Sequence, residues 1–269
     1  VTLDNINVLI SIAKRAGEII LDYYKKDLEI AYKHDNSPVT DADKAANSFI
    51  LEELKTYFPL ISAISEEGGD ELEVDSNIFW LIDPLDGTRS FIKKGKNFTV
   101  NIALIKDNSP YLGVIYHPLT RELFHNLDGK NAVKIDANEN EYIISGKKSI
   151  ITKVIVIGSY SSRSEKQLQN FLLRHNLNTS EVITKASSIK FCLLAEAKAD
   201  IYPRFGQTME WDTAAGHAIL NSAGGVVLDL EGNELKYNKA AFINKGFIAY
   251  SNRELIEKLK IYDPLKKLL

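Results

Sequence analysis

The stretch Ile78-Phe79-Trp80-Leu81-Ile82-Asp83-Pro84-Leu85-Asp86-Gly87-Thr88-Arg89-Ser90-Phe91 constrains this chain more than any other. Residues 78–82 are an unbroken apolar run of strand length, as expected of a buried strand. The run ends in Asp83, Pro84, Asp86, Gly87 and Thr88, which are turn-forming residues. Two carboxylates three residues apart on such a bend can point into one small volume. Their repulsion there is costly unless a cation lies between them. Gly87 permits close backbone approach to a ligand, and the Gly87 and Thr88 amides can face an anion if a helix begins there. The stretch therefore reads either as a divalent-metal site beside a phosphate cradle or as a plain polar strand-to-helix turn. An EF-hand loop is excluded. With Gly87 as the loop glycine, Ile82 and Lys93 fall where the first and last acidic ligands belong. An aspartyl-phosphatase nucleophile of the haloacid dehalogenase type is excluded too, because Pro84 stands two residues before Asp86.

A chain of 269 residues can bury a substantial core, as one large domain or two smaller ones. A net charge of −3 gives no reason to expect nucleic acid or an anionic membrane as partner. The single cysteine, Cys192, rules out an internal disulfide framework and fits a reducing compartment. It lies in an apolar helical run and reads as a core residue. No apolar run reaches the length of a spanning helix, and no basic segment followed by an apolar one opens the sequence. The expectation is a cytoplasmic protein; nothing in the pattern assigns an oligomeric state.

Hydrophobic periodicity predicts helices over 5–26, with Asp4 as N-cap, and 41–57, with Ala45, Phe49, Ile50, Leu54 and Tyr57 inward. Asp41 and Asp43 fall in the first turn of the second helix, where acids complement the helix dipole. Residues 28–32 suggest a short strand, 34–40 a loop, and 61–65 a strand ending in Glu66-Glu67. Five strands are expected over 98–106, 111–117, 121–126, 131–136 and 141–145. Glu67, Asp70, Glu71 and Glu73 read as a solvated acidic loop, and Lys93, Lys94 and Lys96 as solvent-facing. After Lys153 strands alternate with helices: strands at 154–158, 182–184, 199–203, 225–230 and 247–251, helices at 163–175, 187–197, 210–223 and 252–260. The expected architecture is an N-terminal α+β half, 1–152, and a C-terminal α/β half, 153–269.

Asp83-Pro84-Leu85-Asp86-Gly87-Thr88-x-x-Phe91 resembles the signature of the inositol monophosphatase superfamily of metal-dependent, lithium-sensitive phosphatases. Val39-Thr40-Asp41-Ala42-Asp43, Glu66-Glu67 and Trp211-Asp212-x-x-Ala215 resemble its other segments, in the same order, so the likeness covers nearly the whole chain. The resemblance implies a layered αβαβα sugar-phosphatase fold. It implies two or more Mg²⁺ ions held by Glu66, Asp83, the Leu85 carbonyl, Asp86 and Asp212. It implies Asp43, Glu66 and Thr88 as catalytic residues, with the Gly87 and Thr88 amides on the phosphate. Hard oxygen ligands with no histidine or cysteine among them agree with Mg²⁺.

Ser159-Tyr160-Ser161-Ser162-Arg163-Ser164, Ser187-Ser188-Ile189-Lys190-Phe191-Cys192, residues 199–206 and residues 208–216 resemble the branch of that superfamily acting on nucleoside 3′(2′),5′-bisphosphates. That likeness implies hydrolysis of the 3′-phosphate of adenosine 3′,5′-bisphosphate to AMP and phosphate, extending to the 5′-phosphosulfate. It adds Ser187, Ser188, Lys190 and Arg204 to Glu66, Leu85, Asp86, Gly87, Thr88 and Asp212 as substrate-binding residues. By themselves these four read as a helix cap and surface cations. One departure is Glu165, which stands where the branch often carries histidine. An acid facing an anionic ligand repels it, so Glu165 either points away or the pocket differs. The alternatives are an inositol-1-phosphate phosphatase on the same metal centre and a catalytically silent binding or regulatory member. Family resemblance also allows peripheral association with the cytoplasmic face of the inner membrane.

Overall fold

The computed structural model describes residues 3–26, 30–32, 38–70, 77–127, 131–146, 153–159 and 162–261. The strand Ile78–Asp86 is where the chain's first sheet is built. Its residues alternate between two cores: Trp80 and Ile82 face one side, Phe79 and Leu81 the other. That two-sided burial is why the run has no polar residue before Asp83. It is one of seven strands in the spatial order Ala63–Ser65, Ile78–Asp86, Thr99–Lys106, Ser109–His117, Glu122–Leu127, Asn131–Ile135 and Glu141–Ile144. The first pair is parallel and the others antiparallel.

One face of this sheet is covered by the helices Leu3–Tyr24 and Asp41–Tyr57, which bring Ile6, Leu9, Ala13, Ala16, Ile20, Ala46 and Ile50 to a single core. The other face meets the helices Ile189–Ala195 and Ala214–Ser222. The second of these approaches so closely that a Cβ on Gly113 would sit 2.3 Å from the Ala215 carbonyl oxygen. Behind this helical layer is a five-stranded sheet, ordered Thr179–Thr184, Val154–Gly158, Ile201–Arg204, Phe247–Tyr250 and Val226–Leu228. Its outer face packs on the helices Ser162–Arg174 and Glu254–Leu259 through Leu168, Phe171, Leu172 and Leu255. Five layers result, helix, sheet, helix, sheet, helix, which is the layered αβαβα fold. Cys192 is buried in the middle layer, as a core residue.

Several expectations are corrected. Residues 38–40 are not loop: Pro38–Thr40 pairs antiparallel with Ile30–Tyr32. Leu28, residues 33–37, Glu71, Glu73, Tyr160 and Ser161 lie outside the described residues. The helix Asp41–Tyr57 has the expected bounds but a rotated inner face, made of Ala42, Asp43, Ala46, Asn47, Ile50 and Leu54. Tyr57 is exposed, and half-buried Phe49 lies under the Arg15 guanidinium, 4.5 Å from its ring centroid. The rotation turns the Asp43 carboxyl inward. Asp4 lies inside the first helix rather than capping it. The second sheet is mixed: Phe247–Tyr250 runs antiparallel to both of its neighbours. Between Val226–Leu228 and Phe247–Tyr250 the only helical piece is the short 3₁₀ turn Ala240–Phe242. No crossover helix is there to reverse the chain for parallel pairing. Lys94 is exposed but anchored, its ammonium donating to the carbonyls of Tyr24 (2.6 Å) and Lys26 (2.7 Å).

Candidate active site

Asp83 and Asp86 owe their placement to a bulge. Asp83 pairs with Asn101 and Asp86 with Thr99, so one extra residue is accommodated on the strand carrying Pro84 and Leu85. Proline, with no N–H to give to the ladder, is tolerated at such a break. The Leu85 N–H donates to Asp83 Oδ1 at 3.1 Å, which stiffens the bend. Parallel pairing beside this strand brings Glu66 alongside, its N–H donating to the Ile82 carbonyl at 3.1 Å. Asp212 arrives from the C-terminal half. It is not in the first turn of a helix as expected but in the turn before Ala214–Ser222, with its carboxylate accepting the Met209 N–H at 2.9 Å.

Oxygens of Glu66, Asp83 and Asp212 lie within 4.8 Å of one another. Burial, followed by repulsion from Glu66, Asp86 and Asp212, holds the Asp83 carboxyl well above the usual carboxylate range. Burial, then Asp86 and Glu66, pushes Asp212 up to about 8. Asp86 is raised by burial as well, opposed by Lys190, by Asn101 and by the Ser188 N–H. Burial and mutual repulsion together make these acids resist ionisation, and a divalent cation among them would reverse both costs. The clustered donors are oxygen alone, which suits a hard cation.

Gly87 has φ +98°, and a Cβ there would stand 2.6 Å from the Asn97 carbonyl oxygen, so no side chain fits. It caps the short helix Thr88–Ile92. The Thr88 hydroxyl lies 3.0 Å from the Leu85 carbonyl oxygen and 3.1 Å from Asp43 Oδ1. Asp43 Oδ2 accepts the Thr40 N–H at 2.7 Å and the Thr40 hydroxyl at 2.6 Å. A single carboxylate thus caps its helix with one oxygen and addresses Thr88 with the other, so the capping and site readings both hold. Burial raises its pKa and the Thr40 hydrogen bonds oppose this.

These groups open onto a cleft of about 810 Å³, lined also by Ser159, Ser187, Lys190 and Arg204. Ser187 has φ +57°, a strained backbone that turns the Ser188 N–H onto Asp86 Oδ2 at 2.5 Å. The Ser188 side chain does not reach the cleft. Its hydroxyl lies 2.7 Å from Asn101 Oδ1 and 2.8 Å from Thr99 Oγ1, against the first sheet. Lys190 is nearly buried, its ammonium 5.2 Å from the Tyr202 ring centroid. Among the described residues Arg204 makes only long contacts, 3.4 Å to Ser159 Oγ and 3.4 Å to the Gln207 carbonyl, and its buried Nε has no acceptor. Glu165 is exposed and is not among the residues lining the cleft. Asn101, which holds both Asp86 and Ser188, was not anticipated; its register opposite Asp83 is the signal that could have found it.

The family profile of the inositol monophosphatases matches residues 4–262. The chain belongs to the inositol monophosphatase family. Among curated relatives, the 3′(2′),5′-bisphosphate nucleotidase CysQ of Salmonella typhimurium is 42% identical over 241 residues, covering 88% of this chain and 95% of the relative. That of Buchnera aphidicola is 42% identical over 247 residues, covering 88% and 90%. The crystal structure of CysQ from Bacteroides thetaiotaomicron superimposes with TM-score 0.79 at 35% identity, covering 93% of this chain and 98% of that one. An inositol monophosphatase from Thermotoga maritima shares the fold, with TM-score 0.77 at 21% identity and 99% of each chain covered. The family is metal-dependent, and the acidic cluster agrees with it. Among the described residues no helix is long and apolar enough to cross a membrane.

Proposed function

We propose that this protein is a Mg²⁺-dependent 3′(2′),5′-bisphosphate nucleotidase that hydrolyses the 3′-phosphate of adenosine 3′,5′-bisphosphate to AMP and phosphate in the cytoplasm. The observation that carries it is one cleft with a carboxylate cluster at one end and Lys190 and Arg204 on its wall. An inositol monophosphate needs no second anion site, and the CysQ relatives of Salmonella typhimurium and Buchnera aphidicola are bisphosphate nucleotidases.

Glu66, Asp83, Asp86, Asp212 and the Leu85 carbonyl would hold the metal. When bound, it supplies charge that polarises the phosphoryl oxygens and lowers the pKa of water. The Thr88 hydroxyl donates its own hydrogen toward Asp43, which leaves its lone pairs free to accept a hydrogen from the attacking water. Asp43, held by Thr40, takes the proton passed on by Thr88. The Gly87 and Thr88 amides, at a helix start where N–H groups lack intrahelical acceptors, receive the phosphoryl oxygens. Water attacks phosphorus and the P–O3′ bond breaks with its electron pair on the 3′-oxygen. That oxygen takes a proton from solvent water to leave as the hydroxyl, while the proton held by Asp43 returns to solvent. The second phosphate is met by the guanidinium of Arg204 and the ammonium of Lys190. Residues 1–152 supply most of the metal site and the amides on the reacting phosphate, and residues 153–269 supply Asp212 and the contacts to the second phosphate.

A phosphate-release assay with Mg²⁺ over adenosine 3′,5′-bisphosphate, inositol-1-phosphate, fructose bisphosphate and AMP tests the reading. Rapid release from the first and slow release from AMP are expected. Rapid hydrolysis of inositol-1-phosphate with none of the adenosine bisphosphate would overturn it.

A further inference from the structure

The strand Thr99–Lys106 is apolar along one face for only half its length. Thr99, Asn101, Ala103 and Ile105 alternate onto that face, and Ala103 and Ile105 join the core beneath the helices Ile189–Ala195 and Ala214–Ser222. Thr99 and Asn101 are buried just as deeply as those two. So is Ser188, which meets them from the C-terminal half; all three polar residues are at most 1% exposed. Buried polar groups cost stability unless they are hydrogen-bonded. Their partners therefore say what the three are for.

The donors in this group all run one way. Ser188 Oγ lies 2.7 Å from Asn101 Oδ1, an oxygen that can only accept, so the one Ser188 hydroxyl hydrogen goes there. Thr99 Oγ1, 2.8 Å from Ser188 Oγ, must then donate to it. With its oxygen engaged by Ser188, the Asn101 amide presents Nδ2 to Asp86 Oδ2 at 3.3 Å. The Ser188 N–H reaches the same oxygen at 2.5 Å. Among the described residues, every hydrogen bond to the Asp86 carboxylate falls on Oδ2. Asp86 also stands apart from Glu66, Asp83 and Asp212, the trio whose oxygens lie within 4.8 Å of one another. We infer that Thr99, Ser188 and Asn101 are positioning residues for Asp86. Their hydrogen bonds fix the rotation of its carboxylate at the flank of the acidic trio, with Oδ1 as the oxygen offered to the metal. A ligand held in place by groups behind it binds metal more tightly than one that must first be ordered. The Ser188 side chain then serves the metal end rather than the substrate, and metal affinity depends on contact between the two halves of the chain.

This inference rests on Asp86 being a metal ligand, as in the proposed function, and its failure reads differently. The variants are Asn101→Ala, Ser188→Ala, the two combined, and the pair Thr99→Val and Thr99→Ser. All of them keep the Ser188 N–H on Asp86. Calorimetric titration of the metal-free proteins with Mg²⁺ should show affinity lowered about tenfold in Asn101→Ala and in Ser188→Ala. The combined variant should be within about twofold of Asn101→Ala, because both substitutions break one series of hydrogen bonds. Thr99→Val, which keeps the shape and loses the hydroxyl, should lose less than Ser188→Ala. Thr99→Ser, which keeps the hydroxyl, should bind as the wild type does. In steady-state assays the Mg²⁺ concentration for half-maximal rate should rise in step with the titrations. KM for adenosine 3′,5′-bisphosphate at saturating Mg²⁺ should stay within about twofold. A lower melting temperature with unchanged Mg²⁺ affinity would overturn the inference. So would a raised KM with unchanged Mg²⁺ affinity, which would return Ser188 to the substrate. Should Asn101→Ala or Ser188→Ala fail to fold, the Thr99 pair decides: equal affinities reject the inference, and a loss confined to Thr99→Val upholds it. A wild type that binds Mg²⁺ but releases no phosphate from the bisphosphate overturns the proposed function, while the titrations still decide the positioning. A wild type that binds no Mg²⁺ overturns both.

Discussion

The two ends of the cleft are built on different principles. The acidic end is assembled from a bulged central strand, its parallel neighbour and a turn from the other half, and its carboxylates are buried or half-buried and mutually repelling. The cationic end is made of long side chains reaching in from a short helix, a strand end and a loop, several of them exposed. The acidic end is held rigid so that charge can be met at a fixed place. The cationic end offers charge with freedom of position and so discriminates among ligands without taking part in bond breaking. Variants at the first end should therefore lose turnover on every substrate, and variants at the second should lose it selectively.

The largest effect is expected at the acidic end. Asp86→Asn and Asp212→Asn should each lower turnover by about three orders of magnitude on bisphosphate and monophosphate alike, because each removes charge that metal binding requires. Circular dichroism should show both variants folded. Near-normal activity of either at saturating Mg²⁺ would erase the distinction between the two ends.

Arg204→Ala should cost about one to two decades in kcat/KM on adenosine 3′,5′-bisphosphate, the worth of one charged contact of roughly 1.5–3 kcal/mol, and little on a small monophosphate. Lys190 sits between the two ends: it lines the cleft, and its charge also opposes the rise of the Asp86 and Asp212 pKa values. Lys190→Ala should therefore harm both substrate types, the bisphosphate more. Assaying both variants on both substrates separates the roles; equal losses for Arg204→Ala would mean that it supports the fold instead.

How much of this was legible in the sequence follows the same division. The acidic end could be read because its residues lie in contiguous motifs whose chemistry demands fixed spacing, as in the run from Asp83 to Thr88. The helix bounds 41–57 and the strands of the first sheet could be read because periodicity and turn residues agree locally. Three things could not be read from local pattern. The inward turn of Asp43 depends on Thr40 and Thr88 together, and Thr88 is distant in sequence. The withdrawal of Ser188 from the cleft depends on Thr99 and Asn101, which reach it only once two halves of the chain have packed. The turn that carries Asp212 ahead of its helix depends on the bridge between Thr208–Met209 and Ile243–Asn244, a pairing too short to leave a pattern.

The raised carboxyls of the acidic end give a pH signature that the cationic end lacks. In the metal-free protein Asp212 moves from 3.8 to about 8 through burial and its acidic neighbours, and Asp83 and Asp86 move in the same direction. Between those values the folded protein holds more protons than the unfolded one, so stability is full at low pH and falls as pH rises toward about 8. Mg²⁺ should remove this decline and release protons on binding. Melting temperature measured from pH 5 to 8.5, with EDTA or with Mg²⁺, should show a slope in the first series only. Parallel curves would mean that the clustered acids are not where the metal binds.

The smallest effect concerns what lies behind the acidic end. The turn bearing Asp212 rests on a buried polar network. The Thr213 hydroxyl lies 3.2 Å from the Tyr237 hydroxyl and 3.0 Å from Asn244 Nδ2, and Tyr237 is 3.0 Å from His217 Nδ1. Asn244 also donates to the Met209 carbonyl at 3.1 Å, and Glu210 accepts the N–H groups of Asn238 at 2.8 Å and Lys239 at 3.0 Å. Burial holds His217 down to about 3 and the Tyr237 phenol up, so both stay neutral across the working range and the network keeps one protonation state. Tyr237→Phe keeps the ring and removes the hydroxyl, leaving His217 and Thr213 each one partner short. The expected cost is about 1 kcal/mol of stability. Loosening the turn should also weaken metal affinity by about tenfold, the lower end of what removing a group behind a ligand costs. At saturating metal, kcat should return to the wild-type value, since Tyr237 is not among the residues lining the cleft. Calorimetric metal titration of the metal-free variant decides it. A loss of stability with unchanged metal affinity would show that the network supports the fold without positioning Asp212.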